Sequence, residues 1–471
     1  MLGARGPARG ACSRLTSWTL GQPGRPFRRS QQPAIPFKRR RQLLRAFRHE
    51  MTGRYFENTL VAVDPGVAGT QASDAPTADW SQKIWGAVQE SLAVIRENAG
   101  KHSGVDGGTI YCGLGGIAMM HFHMAMQCRH GLRGGRLEEK ELLSQALHWS
   151  TQAEGFVSAR HRRHRVTFLE GYSGILALKA VIFHYMGSRD ACEQCVRELE
   201  AVNERVSVLP SGECEVLYGR CGYLFSLLFV QHHVGKQAVD GRILSRLAKH
   251  VLDEGRTMSA KMPEFASFQL MYSWHDSFYL GACHGLAGIL HILLMCPSEV
   301  AQALPGGEGS ALIQGGTAAL VERCFPSGNL PSSLGNQEDR LVQWCHGSPG
   351  LIQLLVHSLK KGNDARDDAF LLAARRASDD VWRRGLLTKG LGLCHGMAGN
   401  GYSFLSLYRA TGDIRELSRA RAFAECMADN WKNLVDIPDR PMSLYEGLAG
   451  AVCFWVDVLN AEHSRFPGFE L

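Results

Sequence analysis

Three times in its second half the chain sets Cys-His directly before a glycine-bounded turn: GACHGLAGIL at 281–290, WCHGSPG at 344–350 and GLCHGMAGN at 392–400. Thiolate and imidazole are the side chains that hold zinc, and two thiolates with one imidazole leave a fourth tetrahedral position for water or a substrate thiol. A single Cys or His beside a glycine is ordinarily a packed core residue. Recurrence at one place in a repeat sets these pairs apart.

The repeat runs through the whole body of the chain. Its Gly-x-x-Gly turn returns in YCGLGGIA, LEGYSGILA, LYGRCGYLF and LYEGLAGAV, so that seven first glycines fall at Gly113, Gly171, Gly219, Gly285, Gly347, Gly396 and Gly447. Their spacings lie between 48 and 66 residues, the size of one supersecondary unit used again and again. Each turn opens an apolar stretch of helical length, such as GNGYSFLSLYRA at 399–410, which a TGD turn at 411–413 closes. An amphipathic segment follows, with Ile414, Leu417, Phe423 and Met427 spaced for one helix face.

Seven helix pairs make either an open solenoid or a closed ring. Glycines at the mouth of each apolar helix favour the ring, because inner helices converge there and glycine allows close approach and positive φ. The expected fold is all-α, an (α/α)7 double toroid of seven inner and seven outer helices. In such a ring the pairs Cys283-His284, Cys345-His346 and Cys394-His395 surround a common point. The other copies bring Cys112, Glu170 with Tyr172, Tyr218 with Arg220, and Tyr445 with Glu446.

The net charge of +7 is a sum of two unlike parts. Residues 1–50 hold 12 basic residues and one acidic, whereas the other 421 hold 40 basic and 44 acidic. The body therefore offers no electrostatic reason to expect nucleic acid. The Arg-, Gly- and Pro-rich head reads as disordered and outside the fold, which is expected to occupy 51–471 as one domain. A mitochondrial-type presequence and a polybasic patch making peripheral membrane or nuclear contacts are its rival readings. No apolar run reaches the roughly 18 to 20 residues that cross a bilayer. Fourteen cysteines without an export signal point to a reducing, cytoplasmic setting. The CxxC of Cys192 and Cys195 lies in a charged helical stretch without a second half.

The motifs WCHGSPG, KGLGLCHGMAGN, GACHGLAGI and SLYEGLAG, the terminal RFPGFEL and the opening RYFENTL resemble the LanC-like family, eukaryotic relatives of bacterial lanthionine cyclases. The resemblance covers Arg54 to Leu471. It implies one zinc per chain on Cys345, Cys394 and His395, with His284 as the active-site histidine that moves protons near the metal. It further implies that Lys389 and Arg54 contact glutathione. Two departures stand out. Leu341 replaces an arginine of the bacterial cyclases, with Arg340 adjacent, and Asp436-Ile437-Pro438-Asp439 replaces an Arg-Thr-Pro-Asp segment associated with glutathione, with Arg440 following as a third cation.

The implied chemistry is zinc-dependent addition of a thiol, glutathione foremost, to dehydroamino acids in peptides or proteins, a glutathione-transferase-like thioether formation. The alternative is a non-catalytic zinc- and glutathione-binding signalling or scaffold protein. Other helical toroids, glycosidases or terpene cyclases, fit less well: paired carboxylates do not recur at the turns. Asp367-Asp368 and Asp379-Asp380 are expected on a solvated helix face.

Overall fold

The computed structural model describes residues 53–62, 77–102, 107–132, 134, 137–157, 165–359 and 365–471. The basic head, with its expected disorder, lies outside the described residues. Inner and outer helices alternate: α1 (Ala78–Asn98), α2 (Leu114–Arg129), α3 (Glu139–Val157), α4 (Tyr172–Tyr185), α5 (Arg189–Ala201), α6 (Arg220–Val234), α7 (Gly241–Ser259), α8 (Leu286–Leu294), α9 (Glu308–Glu322), α10 (Ser348–Ser358), α11 (Ala365–Arg384), α12 (Met397–Thr411), α13 (Ile414–Leu434) and α14 (Leu448–Leu459). The even-numbered helices are the inner ones. Each packs on its neighbours in the series, and α14 closes the circle by packing on α2 while α1 covers α14. The expected double toroid of seven inner and seven outer helices is the fold observed. Among the described residues no single helix is long and apolar enough to cross a membrane.

Composition sorts the two layers. In α12 every residue from Met397 to Leu407 is buried, as befits a helix surrounded by others. In α7 burial is confined to Ile243, Leu244, Leu247, Ala248, Val251, Leu252 and Gly255, a stripe at helical spacing that faces inward. Side chains cap the outer helices: Asp240 accepts from the Arg242 amide at 2.9 Å and Asp413 from the Arg415 amide at 3.0 Å. Between α12 and α13 the TGD turn behaves as expected, with Gly412 left-handed at φ 69°.

All seven repeat glycines are N-caps of inner helices. Of the two reasons expected for glycine, positive φ applies at one turn only. Six of the seven caps are extended, with φ between −98° and −123°, and only Gly347 is positive at 123°. Close approach is the reason that holds. A Cβ on Gly447 would stand 2.2 Å from the Pro441 carbonyl oxygen, and one on Gly171 2.5 Å from that of Arg165, six residues back in each case.

The C-terminal RFPGFEL segment packs against inner elements of several repeats. Phe466 and Phe469 are fully buried on Trp344, with ring centroids 5.2 and 5.0 Å away. Tyr445 donates to the Pro467 carbonyl at 2.9 Å, and Arg409 pairs with Glu470 at 2.7 Å. The tail thus supports Trp344, the residue before Cys345. The acid pairs of α11 divide. Asp368 is exposed, but Asp380 is buried against Arg384 at 2.8 Å and Asp379 pairs with Arg419 at 2.5 Å. The solvated face expected for Asp379-Asp380 holds for the half-exposed Asp379, whereas Asp380 is part of the helix packing.

Candidate metal and thiol site

The residues two places before each first glycine form a circle held by the backbone. Cys283 N–H donates to the Cys345 carbonyl at 3.4 Å, Cys345 to Cys394 at 3.2 Å, Cys394 to Tyr445 at 2.7 Å, Tyr445 to Tyr111 at 3.1 Å and Tyr111 to Leu169 at 2.9 Å. The Thr167 hydroxyl continues it to the Leu217 carbonyl at 2.6 Å. One place nearer the helices lies a second, more exposed layer that includes Cys112, Tyr218, His284, His346, His395 and Glu446. Seven helix N-termini end at these layers, and their amide dipoles favour negative charge there.

Cys345, Cys394 and His395 come together as the resemblance implied, each offering a ligand atom within 4.8 Å of the others. Both cysteines are buried and His395 is half-buried, so this donor set suits a tetrahedral zinc with one open side. Burial alone would raise the Cys345 thiol, but hydrogen bonding with Cys394 and His395 outweighs it and holds the group well below the ordinary thiol range. Burial and then the bond to Cys345 push Cys394 well above that range. Gln343 Nε2 donates to Cys345 Sγ at 3.1 Å, a further hold on negative sulfur.

His284 stands in the neighbouring repeat. Its Nδ1 lies 2.7 Å from Oε2 of Glu215, which is 2 % exposed and also accepts from the Leu217 amide at 2.9 Å and from the Tyr218 amide. A carboxylate there fixes the tautomer with the proton on Nδ1 and leaves Nε2 for substrate. Trp274 stacks on the imidazole with centroids 3.9 Å apart and planes 3° off parallel. A tight two-residue turn presents that indole: Trp274 and Ser277 exchange both backbone hydrogen bonds, and His275 and Asp276 take φ 47° and 58°. Two adjacent left-handed residues other than glycine carry strain, which the packing of the ring offsets.

The three cations expected at the site are placed separately. Tyr55 bridges Leu387, and the Arg54 carbonyl accepts from the Thr388 amide at 3.0 Å. Arg54 is thereby set beside the strand-like segment that carries Lys389. Arg440 lines a cleft with Cys112, Gly113 and Ser443. Arg340, adjacent to Leu341, is exposed and pairs with Glu338 at 2.8 Å. Cys192 and Cys195 are free thiols on the outer helix α5, away from the turns.

Residues 104–471 match the model of the lanthionine synthetase C-like proteins. The chain belongs to the LanC-like family. It is 34 % identical over 399 residues to the zebrafish (Danio rerio) protein named glutathione S-transferase LANCL1, covering 84 % of this chain and 93 % of that one. The LanC-like protein GCL1 of Arabidopsis thaliana is 37 % identical over 327 residues, 66 % of this chain and 72 % of its own. Nisin cyclase shares the fold at a TM-score of 0.56 and 16 % identity, over 82 % of this chain and 95 % of its own.

Within this LanC-like toroid, Glu215, Gln343 and Trp274 are the site residues that sequence reasoning did not single out. Glu215 had one signal, a lone acid four residues before a repeat glycine in CEVLYG. Gln343 and Trp274 had none, since a polar residue before a motif and a Trp in a loop are common.

Proposed function

We propose that the protein is an enzyme that adds a thiol, glutathione foremost, to dehydroamino acids in peptides or proteins. The observation that carries the reading is the juxtaposition of the Cys345, Cys394 and His395 cluster with the Glu215–His284 pair across one repeat boundary. A zinc ion held by the three ligands supplies ionisation of a substrate thiol near neutral pH. The thiol gives its proton to His284 Nε2 as its sulfur bonds to Cβ of the acceptor, the carbon–carbon π pair moves towards the carbonyl, and Nε2 returns that proton to Cα. Glu215 keeps the opposite nitrogen protonated and supports the charge that the ring carries in turn. Trp274 covers the imidazole face and limits water. Arg54 and Lys389 are the cations assigned to the carboxylates of glutathione, with Arg440 as a third.

The test is glutathione addition to a dehydroalanine peptide, with zinc measured on the same preparation. His284→Asn is expected to keep zinc and melting temperature and to slow the single-turnover rate by roughly 10² to 10⁴-fold, the range for loss of a general acid or base. Stoichiometric zinc and glutathione binding without any addition would favour the scaffold reading. Full activity per folded molecule in His284→Asn would remove that residue from the chemistry.

A further inference from the structure

Addition to an α,β-unsaturated carbonyl needs more than a thiolate and a proton for Cα. As sulfur bonds to Cβ, negative charge collects on the carbonyl oxygen, and a donor aimed at that oxygen stabilises the transition state. Neither His284 nor the metal ligands have a group free for this task. His346 lies between them in the outer layer of the ring, in the repeat that separates His284 from His395. Its ring centroid is 6.2 Å from that of His284 and 5.4 Å from that of Tyr279.

Two observations mark His346. Its Nδ1 is buried and has no hydrogen-bond partner among the described residues, a condition that costs free energy unless a ligand ends it. The turn that presents it is also built unlike the other six. Gly347 alone takes positive φ, and Asn329 Oδ1 accepts from both the amide and the hydroxyl of Ser348, at 2.8 and 2.9 Å, fixing the start of α10. A Cβ on Gly347 would stand 2.1 Å from the Leu341 carbonyl, so this geometry needs glycine. The backbone of His346 is held in turn by reciprocal hydrogen bonds with Gln343, at 3.1 and 3.2 Å.

We propose that His346 donates a hydrogen bond to the enolate oxygen of the acceptor, which makes it a second catalytic histidine. The inference rests on the addition reaction of the preceding section. An acceptor with Cβ at the thiol and Cα at His284 has its carbonyl beside the ring that separates them. The π pair freed by the new S–Cβ bond resides on that oxygen, and it returns to Cα when His284 delivers its proton. His346 lends its N–H throughout and gives up no proton.

The experiment compares two reactions of glutathione on the zinc-loaded protein: addition to a dehydroalanine peptide, which passes through an enolate, and alkylation by iodoacetamide, which displaces iodide and forms none. In His346→Leu the ratio of addition to alkylation rates is expected to fall by about 10² to 10³-fold, the cost of losing one oxyanion donor. His346→Asn, whose side-chain amide places an N–H near the position of Nδ1, is expected to recover at least about tenfold of that ratio. An unchanged ratio in His346→Leu, in a wild type that does add, overturns the role of His346 alone. So does an Asn variant no better than Leu. A wild type that alkylates but never adds overturns the reaction itself, and this inference with it.

Discussion

Glu215 Oε2 and His284 Nδ1, 69 residues apart in the chain, meet at 2.7 Å beneath the indole of Trp274. Glu215 stands where the circle of backbone hydrogen bonds has no direct link between Leu217 and Cys283, and it joins the two repeats through a side chain.

Glu215→Gln tests whether that link positions the imidazole. The amide preserves shape but can turn its NH2 towards Nδ1 and favour the wrong tautomer. The rate of thiol addition is expected to fall by about 10 to 10²-fold, as for other residues that orient a site histidine, with zinc content unchanged. An unchanged rate in a folded, zinc-loaded Glu215→Gln protein would reduce Glu215 to a structural cap.

Cys394→Ala is expected to lose stoichiometric zinc, because a Cys-His remnant cannot close a tetrahedral site. Metal analysis after dialysis checks this, with zinc–sulfur distances near about 2.3 Å in the wild type. Unaltered zinc in the variant would place the metal elsewhere.

A chain beginning at Met51 is proposed to keep its melting temperature and its zinc, since the basic head lies outside the repeat. One beginning at Asp64 loses Phe56, 2 % exposed, whose amide donates to the Leu386 carbonyl at 2.7 Å. Loss of a buried Phe costs about 3–5 kcal/mol, so a clear fall in melting temperature is expected for the shorter chain only. Equal melting temperatures would show that the 53–62 segment contributes little.

His291, 2 % exposed, faces the Phe469 carbonyl at 3.1 Å; burial, and next the charge of His357, pushes its pKa down to about 3. The unfolded value is near 6.5, so the unfolded chain takes up the proton first. Stability from this group is complete above about pH 6.5 and falls by about 1.4 kcal/mol per pH unit as pH drops towards the folded value. His291→Phe removes the proton site, and urea unfolding at pH 5 against pH 7.5 should show about 2 kcal/mol less loss than the wild type. The same acid sensitivity in both proteins would assign it to other buried groups, among them His121, lowered to about 4, and His233, lowered to about 3.

The seven-fold repeat was legible because it is local: Gly-x-x-Gly followed by an apolar helix recurs within each unit, and the ring follows from reusing one unit. The gathering of the Cys-His pairs was legible for the same reason, since equivalent positions of adjacent repeats must lie side by side. The sequence offered close approach and positive φ as reasons for glycine at the turns and could not choose between them. The second glycine of each of the seven turns answers to a carbonyl six residues back, a contact that exists only once the turn has closed. Asp380 was misread as solvated because its partner Arg384 shares its helix face while the surface that buries them comes from elsewhere.

By itself, then, the chain determined its repeat, its layers and the gathering of three Cys-His pairs at equivalent positions, all of which depend on spacing within a unit or equivalence between units; the choice of Cys345, Cys394 and His395 among them came from the family resemblance. Tertiary structure alone decided that Glu215 reaches His284, that Trp274 lies flat on it and that the C-terminal Phe466 and Phe469 support Trp344. Those contacts join residues from ten to more than a hundred places apart. They have no periodicity to betray them, because each occurs once and is set by how the ring closes.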